Sequence, residues 1–522
     1  MTRTVSLVSA AALVCFLAGS IALARLERGG PAHDHVWLEG GVPGTLFLPG
    51  PLRASDDFLS PRADGERPPA LVLMHGYAGD RASVSSFARR VATAGIAVLT
   101  IDAAGHGRNR NPYRRSRAHG GSFGAEFAAA VDFLRTHPSV DGMRIAVAGH
   151  SMGAEAALDY ASRDSAVAAA VMISGGRRFD GPFPPANALF LYAAGDPERI
   201  RSRVTGVASR VAGVARAEPG RTYGDLDRGD AVRLVEVAGT SHAGIVWREA
   251  AVAEALPWLY AAFGLEGAPP APASDPRVPL LGLLVLAFLG VLPGLGVIAA
   301  RLAPHRELAS GAGRWRDLTW VGAAFVLTMP LLVGTPPLAV GPLDAGDAVS
   351  AQFALAGLAL LVAIQLRRPE LLAGAFARPW ATLWAAAVTL VAVTSMLQPI
   401  GIAVHRMDLT PERGLAWLGV TLSFLPLALA FNLLLRRGPT GGATLAVVCG
   451  RLVMLLVMAL GIGVGVLAPV MVFLLPALAI MALVFEALAS FLYAGSRNVV
   501  AIALVDAGWL ALVLAAIMPI RI

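Results

Sequence analysis

Gly149-His-Ser-Met-Gly153 is where this chain most plainly offers chemistry: an apolar run, Arg144 to Ala148, leads into it, and an Ala-rich helical pattern, Met152 to Ala161, leads out. A serine on a sharp turn between strand and helix presents its hydroxyl. Glycine flanks it because side chains there would strike neighbouring backbone. A serine hydroxyl is a poor nucleophile until a base takes its proton, and the base needs an acid to orient it. Together the three groups perform acyl transfer. The competing reading, an ordinary Gly-flanked serine turn, is weakened by the strand-to-helix context.

Nucleophile elbows of this kind are followed along the chain by an acid and then a histidine. Asp196 comes just after the apolar run Ala188 to Ala194, and His242 follows Ala231 to Ala238 within Gly239-Thr-Ser-His242. Both are thus expected at strand C-terminal ends, where open α/β sheets form their sites. His242 is the only histidine between Ser151 and the Pro-rich stretch at residue 267, so the base is expected there. For the acid, Asp180, Asp225, Asp227 and Asp230 compete, but they lie in polar or Gly-rich loops where a solvated carboxylate is the default. An oxyanion needs two backbone N–H groups. Met152 is expected to supply one, and Tyr77, in His75-Gly-Tyr-Ala-Gly79, the other. Gly76 and Gly79 let that loop turn, and His75 reads as a structural loop residue. This chemistry calls for no metal and no organic cofactor.

The elements that must position these groups follow from pattern. Between Val36 and Gly264, short apolar runs alternate with helical ones, which argues an α/β domain with a mainly parallel sheet. Strands are expected at Ala70 to Met74, Ile96 to Ile101, Ile145 to Ala148, Ala166 to Ile173, Ala188 to Ala194 and Ala231 to Ala238. Helices are expected at Ala82 to Ala94, Phe123 to Thr136, Met152 to Ala161 and Val246 to Phe263.

Composition adds a second domain of another kind. The 522 residues exceed what one core serves, and 56% of them are hydrophobic, with mean hydropathy +0.62. Residues 1–25 read as a signal peptide or an N-terminal membrane anchor, 26–266 as the α/β domain and 267–277 as a Pro/Ala-rich linker. Residues 278–522 read as an all-α transmembrane domain of about eight spans, each long enough for ~30 Å of hydrocarbon. The spans are expected at Val278 to Ala300, Leu318 to Gly334, Ala348 to Leu366, Trp380 to Ile400, Leu415 to Leu435, Ala443 to Val464, Val470 to Tyr493 and Val499 to Ile517. Alternating the loops puts ten arginines on one side and four, Arg277, Arg406, Arg413 and Arg521, on the other. The ten-arginine side is then cytoplasmic and the α/β domain extracytoplasmic.

The net charge of +7 does not point to nucleic acid, since no basic stripe with interleaved aromatics occurs. The two cysteines, Cys15 and Cys449, sit in apolar runs and offer neither a disulfide framework nor a metal site. Arg451, Glu486 and Asp506 fall within the sixth to eighth spans, each about two turns deep. Buried charges pair, so an intramembrane ionic cluster is expected.

On His75-Gly-Tyr77, Asp102-Ala-Ala-Gly-His-Gly107, Gly149-His-Ser-Met-Gly153, Gly195-Asp196 and Ser241-His242, taken in order, the segment Val36 to Gly264 resembles the α/β-hydrolase superfamily. It is nearest in flavour to lidless members similar to dienelactone and polyester hydrolases. The resemblance implies a serine esterase or related acyl hydrolase with Ser151, Asp196 and His242 as its triad. It does not extend to the spans. Ser174 to Asn187 is too short for the usual lid, so an open site is expected, suited to lipid, polymeric or membrane-presented esters, with Pro197 to Asp230 the one insertion long enough to cover it. Five arginines between Arg108 and Arg117 suit an anionic group, though a solvated loop is the simpler reading. The other readings are a serine peptidase or acyltransferase using the same parts, and a transporter or sensor whose hydrolase-like domain only binds ligand.

Overall fold

The computed structural model describes residues 2–51, 67–114, 123–176, 184–306, 314–332, 342–344, 346–373, 375–465, 467, 472 and 475–521. The chain divides into two compact units. One comprises Ile21–Leu280 with Pro399–Asp408; the other comprises Met1–Ser20, Leu281–Gln398 and Leu409–Ile520.

A long apolar helix, α1 (Thr2–Gly29), contributes to both. In the first unit it leads into β1 (Pro31–Leu38), β2 (Val42–Pro51), β3 (Ala70–Met74), α2 (Ser85–Thr93), β4 (Ala97–Ile101), α3 (Gly124–Thr136), β5 (Ile145–His150) and α4 (Met152–Ala161). Then come β6 (Ala169–Ile173), β7 (Ala188–Ala193), α5 (Glu198–Val211), β8 (Thr222–Tyr223), β9 (Val232–Val237) and α6 (Glu249–Ala262). The strands form one sheet in the order β1-β2-β4-β3-β5-β6-β7-β9-β8. From β4 to β9 all pairings are parallel, while β1, β2 and β8 join antiparallel at the edges.

Side chains alternate across each strand. Ala70, Val72 and Met74 of β3 enter one core with Phe127 of α3, Ala157 of α4 and Val207 of α5. Leu71 and Leu73 enter the opposite core with Phe87 of α2 and Leu256 of α6. With both faces covered, the central strands must be apolar throughout, and that is why they read as continuous runs in the sequence. The six anticipated strands and four anticipated helices all form, with ends shifted by up to three residues. Sequence pattern did not reveal β1, β2, β8 or α5. The first of these opens on a proline and carries His33, Asp34 and His35, so no hydrophobic alternation marks it.

In the second unit the helices are α7 (Arg277–Leu302), α8 (Arg314–Thr328), α9 (Gly346–Arg367), α10 (Pro379–Val404), α11 (Pro411–Leu435), α12 (Thr440–Gly463), α13 (Leu475–Ser496) and α14 (Val499–Ile517). Eight helices among the described residues are long and apolar enough to cross a membrane, namely α1, α7 and α9 to α14. The expected second span falls short of this. Its α-helix ends at Thr328 and tightens into a 3-10 turn over Met329–Leu332, at Pro330, whose missing N–H cannot continue the ladder. Where α9 meets α11, Gly357 lies against the Leu427 backbone at a distance that leaves no room for a side chain. Close approach at small residues is the usual packing device of helices in lipid.

Candidate active site

Ser151 stands between the last residue of β5 and the first of α4 with φ 52° and ψ −111°, a conformation that non-glycine residues rarely adopt. Its surroundings impose it. A Cβ on Gly149 would run into the Gly153 carbonyl, and one on Gly153 would meet the backbone carbonyls of Met74 and His75 at the end of β3. Gly175, just past β6, lies so close to the Ser151 carbonyl that no side chain fits. The Ser151 N–H meanwhile donates to the Ile173 carbonyl at 2.8 Å. The strained turn is therefore fixed by β3, β5 and β6 together.

The other two groups arrive from neighbouring strand ends. Parallel register sets Ala193 of β7 beside Val237 of β9, and the Gly195 N–H bonds the Thr240 carbonyl at 3.0 Å, which ties the two loops together. As a result His242 Nε2 lies 3.0 Å from Ser151 Oγ, and His242 Nδ1 lies 2.6 Å from Asp196 Oδ1. Asp196 is buried, and its second oxygen accepts from Ser174 Oγ at 2.7 Å and from the Ala193 N–H at 2.8 Å. Burial pushes the Asp196 carboxyl up. The hydrogen bonds from His242 and Ser174, the His242 charge and the Ala193 N–H outweigh burial and hold it below the usual carboxylate range.

Sequence reasoning did not single out Ser174, which donates to Asp196, nor Gly175. It also passed over His150, the variable residue just before the serine in the elbow motif. His150 Nε2–H donates to the His242 backbone carbonyl at 2.8 Å, and the two rings lie 5.0 Å apart. Burial first, then the nearby His242, push His150 down to about 3, so it stays neutral and fixes the His242 backbone. Its signal in the sequence is only its place beside the nucleophile.

The loop after β3 lies against the elbow: a Cβ on Gly76 would come within 3.2 Å of Ser151 Cβ. His75 is fully buried. It donates through Nδ1–H to the Gly76 carbonyl at 2.7 Å and accepts from the Ala103 N–H at Nε2, 3.1 Å away. That pattern defines a neutral tautomer with a structural role. Tyr77 follows in a turn closed by the Gly79 N–H on the Gly76 carbonyl at 3.0 Å, and its ring packs edge-on to His106 and Tyr113. Met152 opens α4, where the first N–H groups have no intrahelical partner. Beneath this loop, buried Asp102 accepts from the Arg81 and Arg108 N–H groups, 2.8 and 2.9 Å away, and pairs with the Arg81 guanidinium.

Of the competing acids, Asp225 and Asp230 occupy an exposed turn, bonded to each other through the Asp225 N–H at 2.6 Å, and Asp180 lies outside the described residues. The Pro197 to Asp230 insertion forms α5, whose Val204, Val207 and Val211 pack on the sheet. Ser151 keeps partial exposure. Of the Arg-rich loop, Arg108 pairs with Asp408 at 2.8 Å, while Arg115 and Arg117 lie outside the described residues.

In the other unit the structure brings Arg451, Glu486 and Asp506 together. Arg451 Nη2 is 3.0 Å from Asp506 and 3.9 Å from Glu486. A fourth member was counted in the sequence as a loop arginine: Arg436 is fully buried and 2.7 Å from Glu486. It sits at the very end of α11, where hydropathy cannot tell an interfacial cation from a paired one.

Residues 65–197 match a family model described as Hydrolase_4, serine aminopeptidase, S33. Among solved structures, the chain is similar to a hypothetical protein from Pseudomonas aeruginosa at 16% identity and TM-score 0.30, covering 42% of this chain and 89% of that one. It is also similar to a puromycin-hydrolyzing peptidase from Mycobacterium tuberculosis at 20% identity and TM-score 0.33, covering 45% of this chain and 40% of that one. No curated protein matches the chain.

Proposed function

We propose that this chain, whose first half is a member of the α/β-hydrolase superfamily, is a membrane-bound serine hydrolase that cleaves carboxylic esters on the extracytoplasmic side. The observation carrying this reading is the continuous hydrogen-bonded line from Ser151 Oγ through His242 to Asp196 at 3.0 and 2.6 Å. In the reaction, Ser151 Oγ attacks the carbonyl carbon while His242 Nε2 takes its proton. Asp196, held ionised, stabilises the imidazolium. The oxyanion is received by the N–H groups of Met152 and Tyr77, helped by the positive end of α4. Collapse expels the alcohol, protonated by His242. A water molecule, deprotonated by the same imidazole, then attacks the acyl-enzyme to release the acid and restore Ser151.

A fluorophosphonate probe tests this reading on the full chain. Wild type is labelled and Ser151→Ala is not; a folded wild type that resists labelling favours a ligand-binding module instead. The aminopeptidase description of the matching family supports a second reading, peptide-bond cleavage by the same groups. Aminoacyl p-nitroanilides separate the two: the ester reading expects turnover of p-nitrophenyl esters with no measurable release of p-nitroaniline, and efficient anilide cleavage favours the peptidase. Orientation is tested at Met143, 87% exposed: a Met143→Cys variant is expected to react with a membrane-impermeant maleimide in whole cells.

A further inference from the structure

Apart from Ser151 and its partners, the first unit contains a polar cavity of about 360 Å³, counting the part open at its mouth. Four guanidiniums line it, those of Arg81, Arg89, Arg277 and Arg406, together with His33, His35, Thr45 and a single carboxylate, Glu27. Its position is informative. Glu27 lies in the last turn of α1, Arg277 is the first residue of α7 and Ile402 lies in the last turn of α10. All three helices are long and apolar enough to span a membrane, so the cavity lies where three spans end.

Three of the four cations already have an anion of their own. Arg81 pairs with Asp102, Arg89 with Glu27 at 2.9 Å, and Arg277 with Asp275 and Glu27 at 2.7 and 2.8 Å. Arg406 is different. The carboxylate nearest it, Asp408 at 3.7 Å, is engaged by Arg108 at 2.8 Å. Asp80 accepts the Arg406 backbone N–H at 2.8 Å and the Ala82 and Ser83 N–H groups at 3.0 and 3.1 Å, so it is spent on backbone. The Arg406 side chain gives Nη2 to a neutral acceptor, His35 Nε2, at 2.8 Å, and its buried Nε has no hydrogen-bond partner. His35 in turn gives Nδ1–H to Thr45 Oγ1 at 2.9 Å, which also accepts Arg81 Nε at 3.1 Å. Burial, then Arg406 and Arg81, push His35 down to about 4, and burial, then Arg89, push His33 down. Both rings are therefore neutral and supply no counter-charge of either sign.

We propose that this cavity binds the phosphate of a membrane phospholipid, with Arg406 as the principal donor and Arg81 beside it. A phosphate oxygen supplies the acceptor that Arg406 Nε lacks and the negative charge that two facing guanidiniums favour. Free phosphate shares that chemistry. Glu27, Arg277 and Ile402, at the ends of three apolar helices and in the cavity lining, favour the lipid as the source.

The test uses the full chain in detergent, stripped of lipid and titrated with phosphatidylglycerol, with diacylglycerol of the same acyl chains, or with inorganic phosphate. Thermal unfolding and native mass spectrometry are the readouts. Phosphatidylglycerol is expected to raise the unfolding temperature and remain bound, diacylglycerol to do neither, and millimolar phosphate to compete. Arg406→Gln weakens phosphatidylglycerol binding about tenfold, and His35→Glu, which installs an anion beside an intact Arg406, does the same should the first variant fold poorly. Equal stabilisation by phosphatidylglycerol and diacylglycerol overturns the proposal. So does undiminished binding in a folded variant, or a response to inorganic phosphate alone. None of these outcomes depends on hydrolase activity.

Discussion

Asp196 accepts three hydrogen bonds, one from the base and two from its own loop neighbourhood, so its replacement separates orientation from folding. Asp196→Asn keeps the shape but cannot hold His242 in the tautomer that accepts a proton from Ser151. It is expected to lower kcat about 10⁴-fold with an unchanged circular dichroism spectrum. His150 gives the site a pH signature of another kind. Its folded pKa is about 3, against about 6.5 for an unfolded histidine. Between those values the unfolded chain binds a proton that the folded chain does not, so stability rises with pH across that window and is full above it. The slope is up to about 1.4 kcal/mol per pH unit for this group. His150→Gln is expected to flatten the acid limb of stability against pH, measured by urea unfolding from pH 4 to 7. At this scale the order of Ser151, Asp196 and His242 after successive apolar runs was legible in the sequence, and the structure brings those three side chains within hydrogen-bond distance. Ser174 and His150 were not legible, since a second serine and a second histidine next to such motifs carry no periodic signal, and only folded distances distinguish a supporting hydrogen bond from a solvated side chain.

The elements hold this geometry through close backbone approach rather than through side-chain bulk. Three glycines, at 149, 153 and 175, let β3, β5 and β6 meet at the elbow. Gly175→Ala tests the least obvious of them, because its Cβ would collide with the Ser151 carbonyl. Relieving that contact must shift the nucleophile by a few tenths of an ångström or more. A loss of at least about 100-fold in kcat is expected, with probe labelling slowed in proportion and the sheet intact by circular dichroism. Strands buried on both faces were readable as apolar runs. The edge strands were not: β1 has a polar face, and β8 is only two residues long. The helix α5 was missed for a related reason. Its apolar residues are three valines, one isoleucine and one alanine among Arg and Ser, which in sequence resembles a polar insertion.

At the scale of the whole molecule, several of the arginines that connect the helices turn out to make structural contacts. Arg437 and Arg368 both pair with Asp317, Arg314 donates to the Arg437 carbonyl at 3.0 Å, and Arg497 donates to the Gly438 carbonyl at 2.8 Å. Loops expected on one side of the membrane thus meet at one end of the helical unit. Arg413 is instead buried against the carbonyls of Ala515, Ala516 and Met518, where a cation suits a helix C-terminus. Within the bundle, Arg436 and Arg451 face Glu486 and Asp506. Glu486→Leu leaves two buried cations with one carboxylate and is expected to cost about 3–5 kcal/mol, read as a lower unfolding temperature in detergent. Arg436→Leu combined with Glu486→Leu is expected to recover most of it. Hydropathy located these helices but placed Arg436 in a loop, because the cost of burying a charge depends on a partner some fifty residues away in sequence.

The segment Pro399–Asp408 has a practical implication for anyone wishing to study the catalytic half by itself. Encoded more than a hundred residues past the linker, it gives Asp80, in the loop that borders the elbow, the Arg406 amide and gives Arg108, in the next loop along the sheet edge, the Asp408 carboxylate. A protein truncated at Gly267 would carry every triad residue yet lack this clasp. Turnover numbers from such a fragment would describe a loosened relative of the enzyme, and adding the ten-residue peptide back in trans is the natural control.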